Sequence, residues 1–335
     1  MTKELLILFI NESNHVASIP LKTIEEQWKD KKLVNLGSKK NFQIFITHKN
    51  SQLFFFTNLG KVYGVNSEEL IGTPLNIFVK DDHCFIDFLS FKEIIKKNEK
   101  KPEGEAEEIN EIQIVTVISE YDLNLSKKSS LFLVTKNGIG KKLEIDHVKG
   151  ANDFGRKIIN LQKGDQLKEV KRVNENTELV LVSTGGRAVK FSSSSLRGLG
   201  RVAVGVKTIN LKTPYLGGKN HEVAFATNSL EGDHLLIIGD KGFGKRIKLN
   251  QFPLVRRGGK GVICHNFNSA GWIIYASCVN QYDYLIGYTR RNYLHKIDIK
   301  DIFLTDKRYA RGELVLKEKS KVYDSLVGVI KYIDY

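Results

Sequence analysis

The sequence predicts an all-β chain folded as a six-bladed β-propeller, and three observations carry that prediction. An apolar strand, a tight turn and a second, apolar-basic strand recur six times. A second signature follows most of the turns: a glycine, four intervening residues, then asparagine and an apolar residue. The period is about 50 residues, which in a strand-rich chain indicates a ring of stacked sheets.

The six copies read LLILFINESNHVASI, LFFFTNLGKVYGV, LFLVTKNGIGKKL, LVLVSTGGRAVKF, LLIIGDKGFGKRI and YLIGYTRRNYLHKI. Their turn residues are Asn14, Gly60, Gly138, Gly186, Gly242 and Asn292, at intervals of 46, 78, 48, 56 and 50 residues. Glycine and asparagine tolerate the positive φ that a tight hairpin demands. The flanks are rich in β-branched and aromatic residues, as strands are. The second signature runs from Gly155 to Asn160-Leu161, from Gly205 to Asn210-Leu211 and from Gly261 to Asn266-Phe267. In the first copy Asp30 stands for the glycine before Asn35-Leu36. The second copy reads Gly72-Thr73-Pro74-Leu75-Asn76, and the last keeps Gly312 without the asparagine.

One such unit cannot bury both faces of its sheet, so neighbours must stack. Closing the ring removes exposed sheet edges; an open β-solenoid or a pair of β-sandwiches is the alternative. Blades are expected at roughly 1–48, 49–125, 126–175, 176–230, 231–280 and 281–335. The 78-residue interval carries about 30 extra residues, an insertion in or after blade 2 spanning about 78–110. Within it, Asp87 to Lys97 has the pattern of an amphipathic helix. The acidic stretch Glu103 to Glu108 that follows reads as a solvated surface loop. The alternative is an acidic mimic of DNA beside a basic ring. No other run of helical periodicity is long enough for a helical domain.

The chain has 335 residues, 52 Lys+Arg against 38 Asp+Glu, and a formal net charge of +14. That balance favours a polyanionic partner, nucleic acid or an acidic membrane face. Cys84, Cys264 and Cys278 have neither metal-type nor disulfide-framework spacing, which fits a reducing compartment. The apolar run Leu5 to Ile10 is too short for a signal segment or a membrane span. A soluble, cytoplasmic protein is therefore expected.

Chemical motifs are sparse. Gly239-Asp240-Lys241-Gly242-Phe243-Gly244-Lys245 matches the start of a phosphate-binding P-loop, but Arg246 stands where Ser or Thr would hold magnesium. The segment also aligns with the other hairpin turns. The histidines fall in no zinc-binding spacing. Trp28 and Trp272 read as packing residues. Nothing argues for catalysis, a cofactor or a metal on this chain.

The cations are more telling. Val255-Arg256-Arg257-Gly258-Gly259-Lys260-Gly261 mixes cations and glycines in a short loop. Exposed amides beside Arg and Lys make a good cradle for phosphate. In copies three to six the post-turn strand is basic, at Lys141, Lys142, Arg187, Lys190, Lys245, Arg246 and Lys296. The loops before the second signature add Arg156, Lys157, Arg197, Arg201, Arg308 and Arg311. On one rim these residues form a curved positive stripe that binds and bends duplex DNA through its backbone. No major-groove recognition helix is evident, so little base specificity is expected. Scattered charge serving solubility is the alternative.

The Leu-x-x-x-Thr-x-x-Gly core with its paired cations resembles the C-terminal domain of the A subunit of bacterial DNA gyrase and of topoisomerase IV. Gly138-Ile139-Gly140-Lys141-Lys142 and Gly242-Phe243-Gly244-Lys245-Arg246 match the blade hairpins of that family. The resemblance covers nearly the whole chain apart from about 78–110. It implies a six-bladed β-pinwheel, a propeller whose blades exchange strands and whose rim wraps double-stranded DNA. As partners it implies the breakage-reunion domain of gyrase A and the ATPase gyrase B. It further implies a nucleoid-associated location and no membrane. The catalytic tyrosine domain of these enzymes is not on this chain, so the resemblance implies an accessory domain of a type IIA topoisomerase. The family's hallmark box, Gln-Arg-Arg-Gly-Gly-Lys-Gly, lies in the first blade. Here the matching loop, lacking only the glutamine, lies in the fifth copy, and the first-blade loop reads Glu25-Glu26-Gln27-Trp28-Lys29-Asp30. That departure makes bending without full chiral wrapping, the topoisomerase IV manner, an alternative to supercoiling. A protein-binding propeller of the WD or kelch type is a further alternative, though the chain has no Trp-Asp dipeptide. An enzyme acting in a central channel is another, without a recurrent acid or metal-ligand cluster to furnish its site.

Overall fold

The computed structural model describes residues 4–11, 15–29, 34–35, 42–70, 89–90, 112–125, 129–212, 221–291, 293–316 and 325–332. Among them are six four-stranded antiparallel sheets, each built around one hairpin of the repeat. In the third, Ser130–Thr135 and Ile139–Glu144 form the hairpin. Leu167–Val173 of the same copy pairs on the inner side, and Val206–Lys207 from the next copy pairs on the outer side. Every sheet repeats this plan. The outer pairs are Leu89–Ser90, Arg156–Lys157, Val206–Lys207, Val262–Ile263 and Glu313–Leu314, and Val34–Asn35 for the last sheet. The strand exchange implied by the resemblance is thus present, and contiguous cuts such as 126–175 separate each outer strand from the sheet it completes. The ring closes on the same plan: Val34 and Asn35 pair with Leu294 and Tyr293, so an early segment of the chain finishes the last blade.

The hairpin strands read as unbroken apolar runs because both faces of each sheet are covered by a neighbour. Alternation decides which neighbour receives which side chain. Phe54 and Phe56 pack with Leu131, Leu133 and Leu143 of the next sheet. Leu53 and Phe55 point the other way, to Leu6, Leu8 and Ile10. Leu179 and Leu181 face one side, Val180 and Val182 the other. The first and last blades meet through Ile7, Phe9, Tyr284 and Ile286. Each fully buried side chain of this size stabilises by roughly 1.5–3 kcal/mol, and the six-fold repetition is what sustains the ring. The inner strands lie one against the next, and Leu326–Tyr332 against Phe42–His48 completes the circle. They line a channel of about 600 Å³.

The turn glycines Gly60, Gly138, Gly186 and Gly242 have φ of 72, 76, 68 and 80°. The backbone there is left-handed, as a tight hairpin requires. Asn14 and Asn292 lie outside the described residues. The P-loop match is excluded by geometry, since the strand Phe243–Lys248 follows Gly242 where a P-loop needs a helix.

Four expectations need correction. Residues 25–29 belong to a nine-residue helix, Leu21–Lys29, not a loop. Its Leu21 and Ile24 are buried in the closure between first and last blades, and Trp28 donates to the Leu294 carbonyl at 3.4 Å. The expected insertion is interrupted by Leu89–Ser90, which completes the first sheet against His15 and Val16. The helix expected from Asp87 is therefore a strand at residues 89–90; its other residues, with Gly72 to Asn76 and the acidic tract, lie outside the described residues. In the first copy the outer pair is Val34–Asn35, whereas the alignment on Asp30 puts it three residues earlier. Trp272 does not pack inside; it is 69 % exposed, against Phe267.

Candidate nucleic-acid interface

Three loops cross the outer edge of the ring, residues 193–205, 249–261 and 299–312. Each opens with a 3-10 turn, at Ser193–Ser195, Leu249–Gln251 and Ile299–Asp301. Each then lies alongside the basic strand of the hairpin one copy earlier, through the bridges Lys142↔Gly198, Lys190↔Leu254 and Arg246↔Leu304. Each ends in a left-handed glycine, Gly205, Gly261 or Gly312. At Gly261 a Cβ would meet the Ala188 carbonyl oxygen at 2.3 Å, so the close approach admits only glycine.

Aligned on that terminal glycine, an arginine recurs four residues earlier: Arg201, Arg257 and Arg308. Two of these join one loop to the one before it. Arg257 donates from Nε to the Ser195 carbonyl at 3.3 Å and from Nη1 to the Lys207 carbonyl at 3.2 Å. Arg308 donates from Nη1 to the Gln251 carbonyl at 2.6 Å. Ser195 and Gln251 are equivalent, the last residues of their 3-10 turns. The Gly258 amide adds a bond to the Thr208 carbonyl, and the Asn210 amide donates to the Gly259 carbonyl. The three loops therefore form one continuous edge from blade to blade.

The structure divides the sequence-predicted cations into two groups. Lys157, Arg197, Arg201, Arg256, Arg257, Lys260, Lys296 and Arg311 are exposed. Lys142, Arg156, Arg187 and Arg308 are half-buried. Arg187 holds the box loop from below, donating to the carbonyls of Lys260 and Gly261 at 3.2 and 3.0 Å. Arg156 donates to the Gly150 carbonyl at 2.6 Å. Arg311 lies over the Phe243 ring at 4.3 Å and Lys296 over Tyr284 at 4.2 Å. Both rings hold a cation while leaving it in water.

Lys141, Lys190, Lys245 and Arg246 are buried, a correction to their assignment as DNA contacts. Lys190 is paired with Glu178 at 3.1 Å. Arg246 donates to the carbonyls of Ile302 and Lys300, both at 2.9 Å. Lys141 is 0 % exposed and donates to the carbonyls of Gly200, Arg201 and Ala203 at 2.9, 2.9 and 3.1 Å. Lys245 does the same for Arg308 and Ala310. Burial lowers both ammonium groups to about 8, so they remain charged at neutral pH. They fasten the loops that carry the exposed cations. In the box loop this place is taken by Val189, and Arg187 and Arg257 do the fastening.

Replacing Lys141 by Met is expected to cost about 1–3 kcal/mol of stability, because buried carbonyls lose their donor. Replacing exposed Arg197 by Ala should stay within about ±0.5 kcal/mol. Urea melts of the two variants check this; equal midpoints would mean the ammonium cage contributes nothing.

In the box loop Arg256, Arg257 and Lys260 are exposed, and Gly258 has φ 84°. The Gly259 and Lys260 amides have no hydrogen-bond partner among the described residues. Exposed rim cations that escaped sequence reasoning include Lys207, Lys300 and Lys307. Lys207 follows Gly205 as Lys157 follows Gly155, a spacing that marks it; Lys307 carries no such signal.

Three segments of the chain, residues 129–174, 177–214 and 233–280, match the family model described as the DNA gyrase C-terminal domain, beta-propeller. The chain is 25% identical to the DNA gyrase A protein of Metamycoplasma arthritidis over 342 residues, covering 98% of this chain and 34% of that protein. It is 28% identical to the DNA gyrase A protein of Ureaplasma parvum over 286 residues, covering 85% of this chain and 30% of that protein. It thus spans about a third of the length of these relatives. Its fold is similar to a solved DNA gyrase A C-terminal domain, with TM-score 0.73 at 19% identity over 98% of this chain and 100% of that one. It is also similar to the C-terminal domain of DNA topoisomerase IV, with TM-score 0.65 at 22% identity over 99% of this chain and 94% of that one.

Proposed function

We propose that this chain, a relative of the DNA gyrase A C-terminal domain, binds duplex DNA along its outer edge and bends it, without reading its sequence. One observation carries the reading: many of the exposed cations stand on three loops that Arg257 and Arg308 join in series along part of the ring's edge. A duplex following those three loops meets positive charge from one blade to the next. Bending 20–30 base pairs by 40–90° costs on the order of 1–6 kcal/mol, which roughly six to ten phosphate contacts offset. The bent segment then serves a type IIA topoisomerase at the nucleoid, delivered to a breakage-reunion domain and powered by the ATPase gyrase B.

A second reading has its own support. The box stands in the fifth copy, and the first-blade loop is replaced by the helix Leu21–Lys29 carrying Glu25 and Glu26. Without a cationic loop there, the DNA path is interrupted, which favours bending over complete chiral wrapping. Relaxing a plasmid around the bound protein separates the two, since only chiral wrapping changes the linking number.

The reading is tested by bending. Arg256, Arg257 and Lys260 changed together to Ala should lower the FRET-measured bend of a duplex of about 35 base pairs more than they lower affinity, because the remaining rim cations still bind. Each lost phosphate contact should reduce the salt slope by about one. An unchanged bend would remove the box from the DNA path.

A further inference from the structure

We infer that three apolar loop tips, Phe154, Val202 and Tyr309, are wedges that enter the minor groove of the bound duplex and loosen a base step there. The inference rests on the proposed DNA path along the outer edge. These side chains are 50, 69 and 54 % exposed. Two of them are held outward by a buried cation. The Lys141 ammonium binds carbonyls on both sides of Val202, at Arg201 and Ala203. The Lys245 ammonium binds those on both sides of Tyr309, at Arg308 and Ala310. Burying a lysine against carbonyls alone is costly; here it fixes a turn whose tip is an apolar side chain in water. Phe154 is presented differently. Its amide donates to Asn152 Oδ1 at 3.3 Å, and left-handed Gly155 closes the turn onto the Asn152 carbonyl at 3.2 Å.

Each tip is on a separate loop and within two residues of an arginine, Arg156, Arg201 or Arg308. Charge of that sign brings a phosphate backbone to the tip, which argues for DNA over an apolar protein surface. Rigid apolar side chains beside cations are the equipment of minor-groove binders that kink DNA, at a few kcal/mol per unstacked step. Such a kink is cheapest at a pyrimidine–purine step. In the box loop the same position is Gly258, three residues before Gly261 as Val202 and Tyr309 are before theirs. That loop offers bare backbone to a phosphate while its neighbours offer wedges. Bending is then concentrated at a few steps, with a mild preference for TA placed where the minor groove faces the ring.

The test uses duplexes of about 40 base pairs with 2-aminopurine at TA steps spaced one helical turn apart, saturated with the full chain. A fluorescence rise of severalfold is expected. Phe154→Ser, Val202→Ser and Tyr309→Ser together should remove more than half of the rise and leave the salt slope unchanged. Tyr309→Phe, which keeps the ring, should retain the rise that Tyr309→Ser diminishes, so the pair decides the matter even if the triple variant folds poorly. Tight, salt-dependent binding with no rise, or a rise indifferent to these substitutions, would overturn the wedges alone. Absent or salt-independent binding would overturn the DNA reading beneath them.

Discussion

Raising the salt from 50 to 200 mM is expected to weaken binding to a duplex of about 40 base pairs by roughly 10³–10⁵-fold. The expectation follows from where the charge sits. Arg197, Arg201, Arg256, Lys260, Lys207, Lys307 and Arg311 are exposed on loops or outer strands of the edge, without a carboxylate partner among the described residues. Each that neutralises a phosphate releases condensed counterions, and the logarithm of affinity falls by about 0.9 per contact for each logarithmic unit of salt. The buried cations Lys141, Lys190, Lys245 and Arg246 cannot contribute, because their charge is committed to carbonyls or to Glu178. The slope therefore counts rim cations and not the formal charge of the chain. Fluorescence anisotropy across a salt series measures it. A shallow slope would favour the protein-binding propeller, in which the cations merely keep the surface soluble.

The repeated hairpins were legible because each combines an apolar run, a turn glycine and alternation that sends Phe54 and Phe55 to different cores. The box loop was legible from its glycines, since Gly261 stands where a Cβ would strike the Ala188 carbonyl. The direction of neighbouring lysines was harder. Lys141 and Lys142 look alike in a composition, yet strand alternation sends them to opposite faces, where Lys141 is enclosed and Lys142 is half-exposed. What makes an enclosed ammonium tolerable is a set of carbonyls some 60 residues away, which no local pattern displays. Leu89–Ser90 was hidden for a related reason. Two residues carry no periodicity, and their pairing is fixed by the partner strand at His15 and Val16. The helix Leu21–Lys29 replaces a rim loop, so aligning it with the repeat concealed its own pattern.

Replacing Glu231 by Ala is expected to cost about 1–3 kcal/mol, the loss of charge-assisted hydrogen bonds at a part-buried site. Glu231 sits at the channel wall, where four inner strands converge. Its carboxylate faces the Lys171 ammonium at 3.3 Å and accepts from the hydroxyls of Thr227 at 2.9 Å and Ser277 at 3.0 Å. Lys171 also faces Glu169 at 3.7 Å. Lys331 donates to the Glu231 and Cys278 carbonyls and stands 3.9 Å from Asp283. The carboxylate thus links strands of the third, fourth and fifth sheets, and the Glu231 backbone carbonyl adds the sixth through Lys331. Without it, Lys171 and Lys331 lose the carboxylate between them on the channel wall. The double change Glu231→Leu with Lys171→Met should recover most of the loss, since an apolar pair of similar volume has no charge to desolvate. The acid response has a definite sign. Burial pushes Glu231 up, but Lys171 and Lys331 more than offset it, so its folded value lies below the ordinary 4.5. The stability it contributes is therefore present above about pH 4.5 and is lost as pH falls through the folded value. Glu169, raised by burial, acts in the opposite sense and is easier to protonate. Urea melts at pH 7 and pH 4 should accordingly show a smaller acid loss in the Glu231→Ala variant than in the parent chain. A variant as stable as the parent at pH 7 would mean that desolvation already cancels the pairing, and that the apolar interfaces alone keep the ring closed.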